Sequence, residues 1–150
     1  MDIGDIPGFR AAYRTGSSYT CNPPVLTTDV DYLVLIREGM LDKADAFLKE
    51  QGFDWCGVAY NVDAESGVTY KWNAFRKGDL NLIVQASLTL YMRSVAATEL
   101  ARRMNLMDKQ DRIALFRMIK FGRQEAQTQF DAEEEPFSDD LIPSMSLIAV

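Results

Sequence analysis

Asp29 and Asp31 stand two residues apart at the head of the run Asp29-Val30-Asp31-Tyr32-Leu33-Val34-Leu35-Ile36. Side chains two apart on a strand project from one face, so both carboxylates are expected to point the same way. Paired carboxylates are hard oxygen donors suited to Mg²⁺ or Mn²⁺. Upstream lies Gly16-Ser17, where glycine lets the backbone pass close to a ligand and serine supplies a hydroxyl. Successive amides of such a turn can cradle an anion. A further carboxylate, Asp79, opens a second strand pattern, Asp79-Leu80-Asn81-Leu82-Ile83-Val84. Taken alone, Gly16-Ser17 is an ordinary turn; with the aspartates downstream, it points to metal and phosphate chemistry.

Composition narrows the alternatives. The chain contains no histidine, which removes Ser-His and Cys-His mechanisms and the usual zinc sites. Cys21 and Cys56 make neither a ligand cluster nor a disulfide framework, and free thiols are expected. A net charge of −6 argues against a broad electrostatic grip on nucleic acid, so any polyanion must be held locally. No apolar run approaches the roughly 20 residues that cross a bilayer. The amino terminus, Met1-Asp2-Ile3-Gly4-Asp5, is acidic without an apolar core. A cytoplasmic protein with no membrane partner is expected.

The surrounding elements must position the aspartates. Ala11 to Thr15 reads as a short strand leading into Gly16-Ser17, after an irregular opening over residues 1–10. Pro23-Pro24 allows at most one helical turn before Asn22. Thr27 to Ile36 is apolar on both faces beyond its aspartates, the pattern of a strand inside a sheet. Met40, Leu41, Ala44, Phe47 and Leu48 recur at helical spacing, and Gly52 stands at the cap. Phe53 to Tyr60 and Val68 to Phe75 form a hairpin, and Arg76-Lys77-Gly78 turns the chain into the Asp79 strand. Ser87 or Thr89 caps a helix reaching Leu106, and Asp108 caps a second carrying Ile113, Leu115, Phe116, Ile119 and Lys120.

The predicted class is α/β (α+β), a small mixed sheet of about four to five strands with flanking helices. It spans residues 1–130, with a C-terminal helix pair. Residues 131–150 open on an acidic run that resists folding; a loosely ordered tail is expected, whose apolar end, Leu141 to Val150, suits docking on the domain or on a partner. Lys71, Arg76 and Lys77 read either as phosphate contacts or as a solvated hairpin rim. Arg102, Arg103, Arg112, Arg117 and Arg123 read either as a surface for a nucleic acid or protein or as solvated helix faces.

A Gly-Ser pair followed about a dozen residues later by an acidic-hydrophobic-acidic strand resembles the signature of the DNA polymerase beta-like nucleotidyltransferase superfamily. The likeness covers residues 11–84 and is strongest for Gly16, Ser17, Asp29 and Asp31. In that superfamily a third carboxylate lies on a neighbouring strand, for which Asp79 is the candidate. The segment after the Gly-Ser pair is usually helical and often basic there, whereas this chain has Ser18-Tyr19-Thr20-Cys21-Asn22-Pro23-Pro24.

The resemblance implies a nucleotidyltransferase-like fold holding two divalent ions, Mg²⁺ or Mn²⁺, about 3.5–4 Å apart. Asp29 and Asp31 would bridge them, Asp79 would help ionise the acceptor, and Gly16, Ser17, Arg76 and Lys77 would hold the nucleotide. The implied reaction moves a nucleoside monophosphate from a nucleoside triphosphate to a hydroxyl of a protein, an RNA or a small molecule, with release of pyrophosphate. The small size is similar to that of the minimal nucleotidyltransferases of bacteria and their phages, which would place a phage-encoded protein in the host cytoplasm. Two rivals stand beside this reading. One is the same fold without turnover, acting by binding as an inhibitor or antitoxin-like partner; the other is an unrelated α/β interaction module whose aspartates are structural.

Overall fold

The computed structural model describes residues 1–24, 29–62 and 69–132, with side chains described outside 58–62, 69–72 and 121–132. The apolar segments become strands β1 (Phe9–Thr15), β2 (Val30–Ile36), β3 (Asp54–Val62), β4 (Thr69–Lys77) and β5 (Leu80–Gln85). They form a 5-stranded sheet in the order β1-β2-β5-β4-β3. β2 and β5 run parallel and every other neighbouring pair is antiparallel. The fold is therefore the mixed α/β arrangement expected from the sequence, a sheet of five strands with flanking helices.

Strand parity divides the core in two. Leu33, Leu35 and Ile83 pack beneath helices α3 (Leu88–Met104) and α4 (Lys109–Ala132), against Leu90, Ala97, Ala101 and Phe116. Val34, Ile36, Phe75, Leu82 and Val84 face the opposite way and pack with Ala44 and Leu48 of α2 (Leu41–Glu50). β2 contributes to both layers, which is why its sequence is apolar on alternate and intervening positions alike.

Local chemistry sets the ends of the helices. α1 (Ser17–Thr20) is a single turn, as the two prolines downstream require. Ser87 Oγ accepts from Leu90 N at 3.2 Å at the start of α3, and Asn105, in the left-handed region at φ 48, ends it. Asp108 Oδ1 accepts from Gln110 N at 2.8 Å and Asp111 N at 3.2 Å to start α4.

Three boundaries differ from the sequence reading. A 3-10 turn over Ile3–Asp5 precedes β1, which begins already at Phe9; buried Ile6 anchors it, and Arg37 N donates to Gly8 O at 2.7 Å. β4 continues through Arg76 and Lys77, which pair with Asn81 and Leu80. The turn is thus Gly78-Asp79, with Gly78 at φ 58, and Asp79 precedes β5. The start of the strand at Thr27-Thr28, the polar hairpin tract at 63–68 and residues 133–150 of the tail lie outside the described residues. No described helix is long and apolar enough to cross a membrane. Both cysteines are free.

Arg112 is a correction of another kind. It is buried, and its Nη1 donates to Leu106 O and Met107 O, each at 2.8 Å, and to Cys21 Sγ at 3.3 Å. The guanidinium closes the α3–α4 turn, where the last carbonyls of a helix lack intrahelical partners. Arg112→Met is therefore expected to lower stability by about 1–3 kcal/mol in urea denaturation, because two part-buried carbonyls lose their donor, while Arg103→Met at an exposed site stays within about 0.5 kcal/mol of the wild type.

Candidate functional site

The register sets one polar row across the sheet. Thr15 of β1 pairs with Asp31 of β2, Asp31 with Asn81 of β5, Asn81 with Arg76 of β4, and Arg76 with Asp54 of β3. Two residues further along β2 and β5, the same face carries Leu33 and Ile83 of the core beneath α3 and α4. The row is the rim of that core. Here β1 and β4 end and β2 and β5 begin.

Gly16 turns the chain at this rim with φ +85, and a Cβ placed on it would lie 2.0 Å from Asp31 Oδ2. Both the backbone angle and the closeness of the carboxylate require glycine there. Tyr19 N and Thr20 N return to Gly16 O at 3.0 and 2.9 Å, closing the one-turn α1.

Asp31 is 1 % exposed. Its Oδ1 accepts from Asn81 Nδ2 at 2.7 Å. Among the described residues no group donates to its Oδ2, and Ser17 Oγ and Asn81 Oδ1 are likewise buried without partners. Burial pushes the Asp31 carboxyl up to about 6; the Asn81 hydrogen bond opposes this, the Asp29 charge adds to it, and the charges of Arg76 and Arg14 pull it down.

Asp29 sits at the lip, just before β2. Its Oδ1 accepts from Arg76 Nη2 at 2.8 Å, with the two side chains 26 % and 45 % exposed respectively. An ion pair this exposed contributes at most about 1 kcal/mol. Arg76 Nε also donates to Gly78 O at 3.2 Å. Ser18 Oγ donates to Asp29 O at 3.1 Å and accepts from Arg14 Nη2 at 3.2 Å, tying the Gly16-Ser17 turn to the start of β2.

The structure thus brings Gly16, Ser17, Asp31, Asp29 and Arg76 to one edge. Lys77 stands apart from this group. Asp79 is an exposed turn residue whose carbonyl accepts from Val30 N at 2.8 Å. Among the described residues, no three His, Cys, Asp or Glu side chains are grouped so as to hold a metal ion. Lys77 Nζ donates to Gln51 O at 2.7 Å, at the C-terminus of α2, and lies 5.8 Å from the Phe53 ring centroid. Strand parity decides this, since neighbouring residues of β4 face opposite layers.

Asn81 is the residue that sequence reasoning missed. It lies two residues beyond Asp79 and shares its strand parity, but the start of β5 at Leu80 puts the amide, and not the carboxylate, beside Asp31. What the edge can hold follows from its donors. Orphaned hard oxygens on Asp31 and Ser17 suit a divalent ion completed by phosphate and water oxygens, the way Mg²⁺ is commonly bound with one or two carboxylates.

The turn is also latched to α3. Tyr19 Oη donates to Glu99 Oε1 at 3.1 Å and accepts from Arg102 Nη1 at 2.7 Å, while Tyr13 Oη donates to the same Glu99 oxygen. The Tyr13 hydrogen bond, opposed by burial, leads in holding the Glu99 carboxyl below its ordinary value, and burial with that bond pushes the Tyr13 hydroxyl up. Asn22 and Asn105 exchange two hydrogen bonds, at 2.8 and 2.9 Å. Thr15 and Thr98 hydroxyls meet at 2.9 Å below the row.

The titration of Asp31 gives a testable sign. Its folded value near 6 lies above the ordinary 3.8, so the folded state keeps the proton longer, and stability present below pH 4 is lost as pH rises through 6. Asp31→Asn is expected to raise the melting temperature at pH 7, by the equivalent of up to about 3 kcal/mol, with the gap over wild type closing as pH falls to 4. Equal melting temperatures at every pH would show that the buried carboxylate carries no such cost.

No family model matches the chain, and no curated protein matches it. Among solved structures it is similar to the crystal structure of conserved protein GrpB from Enterococcus faecalis, with 17% sequence identity and a TM-score of 0.47, over 98% of this chain and 85% of that one. The likeness is too distant to speak to activity.

Proposed function

We propose that this chain is a DNA polymerase beta-like nucleotidyltransferase-type protein that binds a nucleoside triphosphate with a divalent ion, Mg²⁺ or Mn²⁺, at the edge where β1 ends and β2 begins. The observation that carries this reading is the buried Asp31 carboxylate pressed against Gly16, with Oδ2 and the neighbouring Ser17 Oγ lacking partners among the described residues. An ionised carboxylate held out of water is costly unless a cation or donor meets it. A sheet does not keep that cost for packing alone.

In this reading Asp31 and Asp29 hold the ion, which when bound would neutralise phosphate charge and align the triphosphate for in-line attack. Ser17 and the backbone of its turn hold the terminal phosphates. Arg76 leaves its exposed pair with Asp29 and contacts a phosphate oxygen, an exchange made cheap by the weakness of that pair. Asn81 keeps Asp31 in place through its amide hydrogens but has no basic site for a proton. The acceptor, a hydroxyl of a protein, an RNA or a small molecule, would attack the α-phosphorus as pyrophosphate leaves, with its proton passing to Asp29.

A second reading is binding without turnover, as an inhibitor or antitoxin-like partner. Two observations favour it: an amide stands beside Asp31 on β5, and Asp29 is already neutralised by Arg76. Calorimetry and a transfer assay with labelled triphosphate separate the two. Binding is expected with Mg²⁺ and lost on chelation. Asp31→Asn, whose fold can be followed by its melting curve, is expected to lower binding sharply and to cut label transfer by about 10²–10³-fold, the loss typical of removing one preorganised charge contact. Mg²⁺-dependent binding with no label on any acceptor selects the second reading. No heat with any triphosphate and either metal removes the nucleotide from the proposal.

A further inference from the structure

We propose that the edge where β1 ends and β2 begins takes a single divalent ion, and that Asn81 sets this number by offering the ion a neutral oxygen where a further carboxylate would admit a second ion. The inference deepens the divalent-ion reading above and rests on it. Three side-chain oxygens at this edge are buried without partners among the described residues: Asp31 Oδ2, Ser17 Oγ and Asn81 Oδ1. Their residues are 1 %, 1 % and 0 % exposed, in that order. The Asn81 amide is oriented by its neighbour. An ionised carboxylate only accepts hydrogen bonds, so the end of the amide that meets Asp31 Oδ1 at 2.7 Å must be Nδ2, and Oδ1 is the end left over.

Counting hydrogens shows what the edge lacks. Of the three oxygens only Ser17 Oγ carries a hydrogen, and it can serve one acceptor. At least one buried acceptor then faces no donor, a cost that a cation removes and another acceptor does not. Oxygens of a carboxylate, a hydroxyl and an amide carbonyl are hard ligands of the kind that Mg²⁺ and Mn²⁺ take.

The number of ions follows from charge. Asp31 and Asp29 bring two negative charges, and Arg76 already offsets one of them at 2.8 Å. Among the described residues, no three His, Cys, Asp or Glu side chains are grouped so as to hold a metal ion. Two divalent ions at the separation of a two-metal site, about 3.5–4 Å, repel four times as strongly as two unit charges would there. The β2–β5 register sets residue 81 directly beside Asp31, so a carboxylate at that position would add its charge to the pair, and the amide adds none. The charge present meets one ion. The proton of an acceptor hydroxyl is then left to Asp29 at the lip.

The test counts Mn²⁺ bound to the full chain at pH 7, from the loss of the free-ion electron paramagnetic resonance signal, with no nucleotide added. Asp31→Asn keeps every other carboxylate and supplies the background, so each count is the excess over that chain. One ion is expected in the wild type and two in Asn81→Asp. The exchanged chain, Asp31→Asn with Asn81→Asp, keeps the charge, the volume and an amide-carboxylate pair, and is expected to regain one ion. A merely structural amide would not give this rescue, which decides the role of residue 81 even where Asn81→Asp alone fails to fold. Two ions in the wild type, one in a folded Asn81→Asp chain or none in the exchanged chain would overturn the inference while the divalent-ion reading stands. No excess of the wild type over Asp31→Asn would overturn that reading as well.

Discussion

Asp31 is a carboxylate almost wholly removed from water, wedged between the backbone of Gly16 and the amide of Asn81. The rest of the structure is arranged around that close approach. For the approach to exist, β1 must end opposite Asp31 and β5 must begin beside it. A slip of one residue would send Asp31 to the α2 side and Val30 or Tyr32 to the rim. The register is held from below by Leu33 and Leu35 on one layer and Val34 and Ile36 on the other. Apolar packing on both faces therefore sets where a charged group sits. The folded chain bears the cost of that charge at neutral pH.

The lip of the site is built on a different principle. Asp29 and Arg76 meet in partial solvent, where their pairing is weak and readily exchanged. A deep, oriented carboxylate beside a loose, exposed one gives two acids of unlike character on one edge. Asn81 makes the deep one directional, and Arg76 screens the shallow one. The turn carrying Ser17 is also tied to the helix pair, through Tyr19 and Asn22 to α3 and its cap Asn105, and through Cys21 to Arg112 of α4 and Leu106 O. The helix pair that closes one core layer thus also steadies the turn at the rim.

Much of this was readable from residue order. The apolar run after Asp31 required a buried strand, Pro23-Pro24 limited α1 to one turn, and Ser87 and Asp108 start the two helices as local hydrogen bonding demands. These are short-range effects, set by residues within a few positions of one another. Gly16, Ser17, Asp29 and Asp31 were identifiable for the same reason: their spacing is local.

What the sequence could not decide is which side chain each of these would meet. Asp79 and Asn81 share a parity, and pairing between strands separated by some 50 residues chose Asn81 as the neighbour of Asp31. Arg76 and Lys77 are adjacent in the chain, yet opposite faces of β4 send one to Asp29 and the other to the end of α2. Arg112 looks like a surface cation until the α3–α4 turn folds over it. By itself the sequence determined the elements and the acids that could do chemistry, because those follow from local spacing; only the tertiary structure decided their partners, because long-range register and burial are properties of the assembled sheet.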